Sequence, residues 1–193
     1  PDVGVIALVP EKWAAPVRAR HQVMPRLARY FNVVWMEPPD GWRECWLGSR
    51  PRGTAGVAPP GVPGFAIYDP CPRLPLFYKP RFIATYTERK RLEHARQLLV
   101  KRGARKIVLY LWRPMFDTAL DRIDHDVSLY HIVDEYNFSE TEKENDDRET
   151  RLIKRSGQII VHSPALMEKK GRLNPATAYL PNPYLKPTPL LLS

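Results

Sequence analysis

The 193 residues contain only two cysteines, Cys45 and Cys71. Two are too few for a disulfide scaffold, and their spacing is not that of a structural zinc site. A reducing, cytosolic setting is the simpler expectation. No uninterrupted apolar run approaches the ~20 residues of a membrane-spanning helix, and the opening PDVGVIALVPEKW lacks the basic region and cleavage pattern of a signal peptide. Glycine is sparse, at 10 residues, and forms neither a Gly-x-Gly-x-x-Gly nor a Gly-Lys-Ser/Thr loop. The phosphate cradles of nicotinamide dehydrogenases and NTPases are therefore missing. His21, His94 and His125 are scattered and no His-Glu-x-x-His occurs, so a dedicated metal site is not expected.

What the chain does have is proline and positive charge. Its 21 prolines suggest long, stiff connections, and 30 Lys and Arg against 21 Asp and Glu give a net charge of +9. At 44% hydrophobic residues, the composition is that of a folded chain able to bury a core. The length suits one domain. The charge suits an anionic membrane surface, nucleic acid or phosphorylated substrates, without choosing among them.

Short β-branched runs alternate with helical periodicity. Val3 to Val9, closed by Pro10, and Asn32 to Glu37, closed by Pro38 and Pro39, read as buried parallel strands. Between them Val17, Val23, Leu27 and Tyr30 suggest the inner side of a helix that Pro25 bends or divides. Residues 39 to 64 form an unusually long Pro- and Gly-containing loop. Further strands are expected at Phe65–Tyr68, Lys106–Leu111, Val127–Val133, Gln158–Val161 and Thr177–Leu180. Helices are expected over 85–102, with Leu92, Ala95, Leu99 and Tyr86 inward, and over 115–120, 142–154 and 164–173. The order predicts an α/β fold with an open, mostly parallel sheet and helices on both faces.

In such a sheet ligands bind beyond the carboxyl ends of the strands. That rule selects Glu11, Lys12, Trp13, Glu37, Trp112, Arg113, Asp134, Glu135, Tyr136, His162 and Ser163. Tyr130 to Tyr136 is the densest segment. There Asp134 suits a general base, and the plainer alternative is that Asp134 or Glu135 caps the next turn while His131 is a satisfied sheet histidine. Ser163 suits a helix N-cap. Trp13, Arg18 and His21 suit a crevice for a phosphorylated or glycan ligand, or else Trp13 packs over the first helix and Arg18 is solvated. Arg89-Lys90-Arg91 suits phosphates, or is a solvated face. Trp42 and Trp46, with Arg43 nearby, suit a membrane or acceptor interface, or a lid.

The opening strand with Trp13, the helix containing Arg18-Ala19-Arg20-His21, the Val33-to-Pro38 strand, Tyr130-His131-Ile132-Val133-Asp134-Glu135-Tyr136 and the ending from Glu149 to Asn182 together resemble a known family. It is the N-terminal, acceptor-binding domain of GT-B glycosyltransferases, in the bacterial group similar to families 1 and 4. The resemblance implies a Rossmann-like domain over 1–181. Residues 182–193 are then a linker, or the start of a crossover to a C-terminal domain that binds the nucleotide-sugar donor. It implies no cofactor in this domain, and a glycan or lipid-linked acceptor as partner rather than nucleic acid. Asp134 becomes the general base, with His131 the alternative. Trp13, Arg18, Arg113 and Glu135 become acceptor residues, and the location becomes cytoplasmic, at the inner face of the membrane. Where many relatives have Asn-Gly-Val-Asp, this chain has Asn182-Pro183-Tyr184-Leu185. A non-catalytic module of the same fold, binding glycan, phosphate or nucleic acid, is the competing expectation.

Overall fold

A computed structural model describes residues 1–46, 61–69, 74–133 and 143–181, with residues 46 and 143–146 described by backbone alone. Seven strands form one sheet: β1 (Val3–Leu8), β2 (Asn32–Met36), β3 (Phe65–Tyr68), β4 (Lys106–Leu111), β5 (Val127–Ile132), β6 (Gln158–Val161) and β7 (Thr177–Tyr179). Their spatial order is β3-β2-β1-β4-β5-β6-β7, and every pairing is parallel. The alternation read from the sequence thus produces the open parallel α/β sheet that right-handed crossovers require.

Side chains alternate between the two faces. Ile6, Leu8, Val34, Leu109, Leu111, Tyr130, Ile132, Ile159 and Val161 pack against α3 (Arg81–Lys101), α4 (Lys143–Arg155), α5 (Pro164–Lys170) and the 3₁₀ segment Pro114–Asp121. Val5, Ala7, Val9, Val33, Trp35, Phe65, Tyr110 and Trp112 form the other layer, with Met24 and Ala28 of α1 (Ala19–Leu27) and its following turn. Gly64 enters β3 against the carbonyl oxygens of Ala28 and Phe31, where any Cβ would collide.

Several sequence expectations need correction. Val17 and Tyr30 lie outside α1 and are exposed, while Arg20, His21 and Met24 are its buried residues. Pro25 stays inside α1. α3 begins four residues earlier than its periodicity suggests, directly after Pro80, and Tyr86 points outward. Arg91 is buried, its guanidinium donating to the carbonyls of Leu74 and Pro75 at 2.9 and 3.0 Å. Burial lowers its pKa to about 10, and it is no surface phosphate ligand. The long loop contains a short helix, α2 (Trp42–Trp46). Pro114–Asp121 is 3₁₀ rather than α-helical. The leucines at 190–192 lie outside the described residues.

One ion pair ties three elements beneath the sheet. Glu149 of α4 accepts from the Tyr130 hydroxyl at 2.9 Å and from Lys170 Nζ of α5 at 2.6 Å, and both Glu149 and Lys170 are buried. Removing only the cation leaves an uncompensated buried carboxylate, which costs far more than replacing the pair with apolar groups. Lys170→Met is expected to destabilise the fold by about 3 kcal/mol in urea unfolding, and a Glu149→Leu/Lys170→Met double variant to recover most of that loss. A loss below about 0.5 kcal/mol in the single variant, within the range of an ordinary surface substitution, would refute this role.

Candidate functional site

The strand order reverses between β1 and β4: from β1 the chain builds outward to β2 and β3, and from β4 outward to β5, β6 and β7. No connection covers the carboxyl ends at such a reversal, so a crevice opens there. Trp112 N–H donates to the Leu8 carbonyl at 3.2 Å, which extends the β1–β4 ladder to the floor of this crevice.

The loop after β1 forms one wall, held by three polar contacts. Lys12 Nζ meets Asp40 Oδ1 at 2.6 Å, the Trp13 amide donates to Glu37 Oε1 at 2.8 Å, and Glu11 pairs with Arg20 Nε. With the loop so fixed, the Trp13 ring wedges among Phe65 at 4.9 Å, Trp35 at 5.1 Å and His21 at 5.1 Å. Trp13 therefore packs beneath α1 while keeping one part accessible. Arg18 is exposed just before α1, and its backbone N–H donates to His21 Nδ1 at 3.1 Å. That bond leaves the proton of neutral His21 on Nε2, which is buried and has no hydrogen-bond partner among the described residues. Burial is the main cause lowering the His21 pKa, opposed chiefly by Glu11.

The other wall rises from β4, β5 and β6. Trp112, fully buried, stacks on Tyr110 at 5.2 Å and on His131 at 4.4 Å. The Tyr110 hydroxyl and His131 Nδ1 share a 2.9 Å hydrogen bond. Arg20, only 5% exposed, closes the wall with its guanidinium 5.6 Å from the Trp112 ring centroid. The Trp112 indole N–H, like that of Trp35, is buried with no acceptor among the described residues. His162 lies beside these groups, and its Nδ1–H donates to the Ile132 carbonyl at 3.0 Å. In the neutral ring this makes Nε2 the acceptor nitrogen.

Burial, then His162 and Arg20, depress the His131 pKa to about 4, so His131 is neutral and only weakly basic at physiological pH. Its role in the described structure is to orient Tyr110 and carry Trp112.

The structure seats Trp13 against Trp35 of β2 and Phe65 of β3, and buries His131 of β5 against Tyr110 and Trp112, with Arg18 exposed just before α1. Arg113 is half-buried at the β4 exit. Asp134 and Glu135 follow Val133 in the chain but lie outside the described residues. Trp42 stands apart on α2, partly exposed, with Arg43 5.2 Å from its ring centroid. The Trp46 side chain is not described. Ser163 caps α5, its Oγ accepting from the Leu166 amide at 3.2 Å. The Glu11–Arg20 pair and the Tyr110–Trp112–His131 stack were not singled out from the sequence, since nothing in a linear pattern brings residues 11, 20, 112 and 131 together. No group of three or more His, Cys, Asp or Glu among the described residues is placed to hold a metal ion.

No protein-family model and no curated protein matches this chain. The chemistry of the crevice must therefore be read from its own residues. Part of the Trp13 ring, exposed Arg18 and half-buried Arg113 are its accessible groups, over a buried layer of Trp112, His131 and the Arg20–Glu11 pair.

Because the folded pKa of His131 lies below its unfolded value of about 6.5, the unfolded chain binds more protons between the two. Stability is then full above about pH 6.5 and falls as pH drops toward 4, by about 3 kcal/mol in total. Urea unfolding of the chain and of His131→Gln at several pH values will show this slope in the first and its reduction in the second. Equal slopes would place the acid sensitivity elsewhere.

Proposed function

We propose that the chain is the N-terminal, acceptor-binding half of a glycosyltransferase that moves a sugar from a nucleotide-sugar donor to a glycan, polysaccharide-precursor or lipid-linked acceptor. The observation that carries this reading is the composition of the switch-point crevice. Where a dinucleotide enzyme has glycines and a bare helix N-terminus, this chain has Trp13, Arg20, His21 and Trp112. The accessible part of the Trp13 ring, with exposed Arg18 before α1, suits the apolar face and hydroxyls of a sugar better than a pyrophosphate.

On this reading the donor nucleotide binds a second domain outside this chain, and no metal or cofactor is needed here. Asp134, immediately after the β5 exit, takes the proton of an acceptor hydroxyl. The oxygen then forms a bond to the anomeric carbon, and the bond from that carbon to the nucleoside diphosphate breaks, its electron pair leaving with the diphosphate. Trp13, Arg18, Arg113 and Glu135 hold the acceptor. The resemblance to the GT-B N-terminal domain supports the same assignment. It also supports a cytoplasmic location against the inner membrane face. No helix among the described residues is long and apolar enough to cross a membrane, so attachment on this reading is peripheral.

The test is turnover of the full-length protein with a panel of sugar nucleotides and lipid-linked or glycan acceptors. Acceptor-dependent release of nucleoside diphosphate is expected, with Asp134→Asn lowering kcat by about 10²–10⁴ and acceptor KM little changed. Near-normal turnover in Asp134→Asn would remove the base assignment. Salt-sensitive binding of nucleic acid with no sugar transfer would replace the enzyme reading with that of a binding module.

A further inference from the structure

Three large aromatic side chains stand out from the surface along one line. Tyr78 is 80% exposed, Phe82 74% and Tyr86 58%. Tyr78 immediately precedes α3, and Phe82 and Tyr86 are four residues apart on its first turns. At 100° per residue, Phe82, Tyr86, Arg89 and Lys90 share an arc of about 100° that faces away from the buried Leu92, Ala95 and Leu99. A helix that turns two aromatics outward while burying an arginine, Arg91, on its inner side runs against simple amphipathic logic. The outward aromatics have no packing role within the described fold.

Charge surrounds them. Lys79 and Arg81 are exposed and have no acidic partner among the described residues. Lys90 Nζ lies 5.9 Å from the centroid of the Tyr86 ring. Glu93, paired with both Arg89 and Lys90 at 2.9 and 2.8 Å, is the one carboxylate α3 sets on this face, and Asp121 and Asp124 line the groove beside it together with Arg96 and Arg122. Glu88 instead turns toward Thr118 and Arg122. Lys79, Arg81, Arg89 and Lys90 therefore flank the aromatics, and Glu93 is the one carboxylate that α3 sets among them.

The patch also has a defined place. Leu99 packs on Gly4 at the start of β1. From Leu99 back to Phe82 the helix rises about 26 Å, whereas β1 from Gly4 to Leu8 advances only about 13 Å. The first turns of α3 therefore overshoot the carboxyl edge of the sheet, the edge on which the crevice opens. Gly41 bridges to Leu76 and the Leu76 amide donates to the Asp40 carbonyl at 2.8 Å, which sets Trp42 and Arg43 beside the same segment.

We infer that Tyr78, Phe82 and Tyr86, with Lys79, Arg81 and Arg89, form a docking surface for an anionic lipid bilayer. Interfacial aromatics with flanking cations bind such surfaces by burying rings at the headgroup boundary while the cations meet lipid phosphates. A protein partner would have to supply a complementary acidic and apolar face, and a second copy of this patch would set like charges against each other. Charge complementarity thus favours the anionic bilayer. The inference deepens the expected membrane association of the transferase reading by naming its surface, but it rests on these side chains alone and holds or fails without any sugar transfer.

The test is co-sedimentation of the full chain with vesicles of phosphatidylcholine, with and without phosphatidylglycerol. Binding is expected to the anionic vesicles only, and to weaken as salt is raised. Phe82→Ser/Tyr86→Ser should lower partitioning about tenfold or more. Lys79→Glu/Arg81→Glu should lower it by about fivefold or more per cation. All four positions are exposed, so folding is expected to persist, which circular dichroism checks. Lys101→Glu/Arg105→Glu reverses two exposed cations at the opposite, amino edge and should leave binding unchanged. The inference is overturned if the aromatic variant binds as well as the parent, or if the amino-edge variant loses as much. Sedimentation of the vesicle-free chain as a dimer that Phe82→Ser/Tyr86→Ser dissociates would overturn it too, by making a second copy the occupant.

Discussion

Between β1 and β4 the chain leaves two neighbouring parallel strands in opposite directions, and nearly everything of chemical interest depends on that divergence. Every strand in the sheet points the same way, so all strand exits open on one edge. At the reversal no crossover lies over the exits. The loop of Glu11 to Trp13 lies there half-buried, above a layer in which Trp112 and His131 are buried.

Placing polar groups in that layer has an electrostatic consequence. Arg20 is nearly buried and needs Glu11 to offset its desolvation, since an unpaired buried cation costs several kcal/mol. Its charge, once held there, makes a second cation nearby unfavourable. Burial is the main reason His131 stays neutral, and His162 and then Arg20 lower its pKa further. A neutral His131 can hold Tyr110 in a fixed hydrogen bond and present a flat face to Trp112. Burial likewise pushes the Tyr110 pKa upward, so the phenol keeps its proton at neutral pH. The Glu149–Lys170–Tyr130 group on the opposite face of the sheet follows the same rule, and it anchors β5 from below while the stack rests on it from above.

The strands were legible because a strand buried on both faces must be apolar throughout, and runs such as Val3 to Val9 admit few other structures. Ser163 was legible as a cap because capping depends on local sequence alone. The orientation of Tyr86, Val17 and Tyr30 was not, since helical periodicity assigns aromatics inward by default and cannot register a surface that calls for them outside. Arg91 misled in the other direction. A run such as Arg89-Lys90-Arg91 reads as a solvated face, and the carbonyls of Leu74 and Pro75 that receive Arg91 are separated from it by the whole first half of α3. The strand-exit rule picked out Glu11, Lys12, Trp13, Glu37 and Trp112, which the structure sets after the strands they follow. The pairings across the candidate site depend on contacts between residues 9 to 104 apart in the chain, which no local pattern encodes.

The same geometry explains why a crevice and an aromatic-basic surface share one edge. In a parallel sheet each crossover helix starts at the carboxyl edge and returns to the amino edge, so helix N-termini gather where the strands exit. α3 has 21 residues, more than the span of the strands it covers, and the excess can extend only beyond an edge. Its C-terminal end is fixed by Leu99 on Gly4 and by the turn into β4, so the surplus turns project at the carboxyl edge. Residues there contribute nothing to the core and are free to carry Phe82 and Tyr86 outward. A docking surface at that position needs no added domain or insertion, since it is the unburied end of a helix whose other end the core already holds.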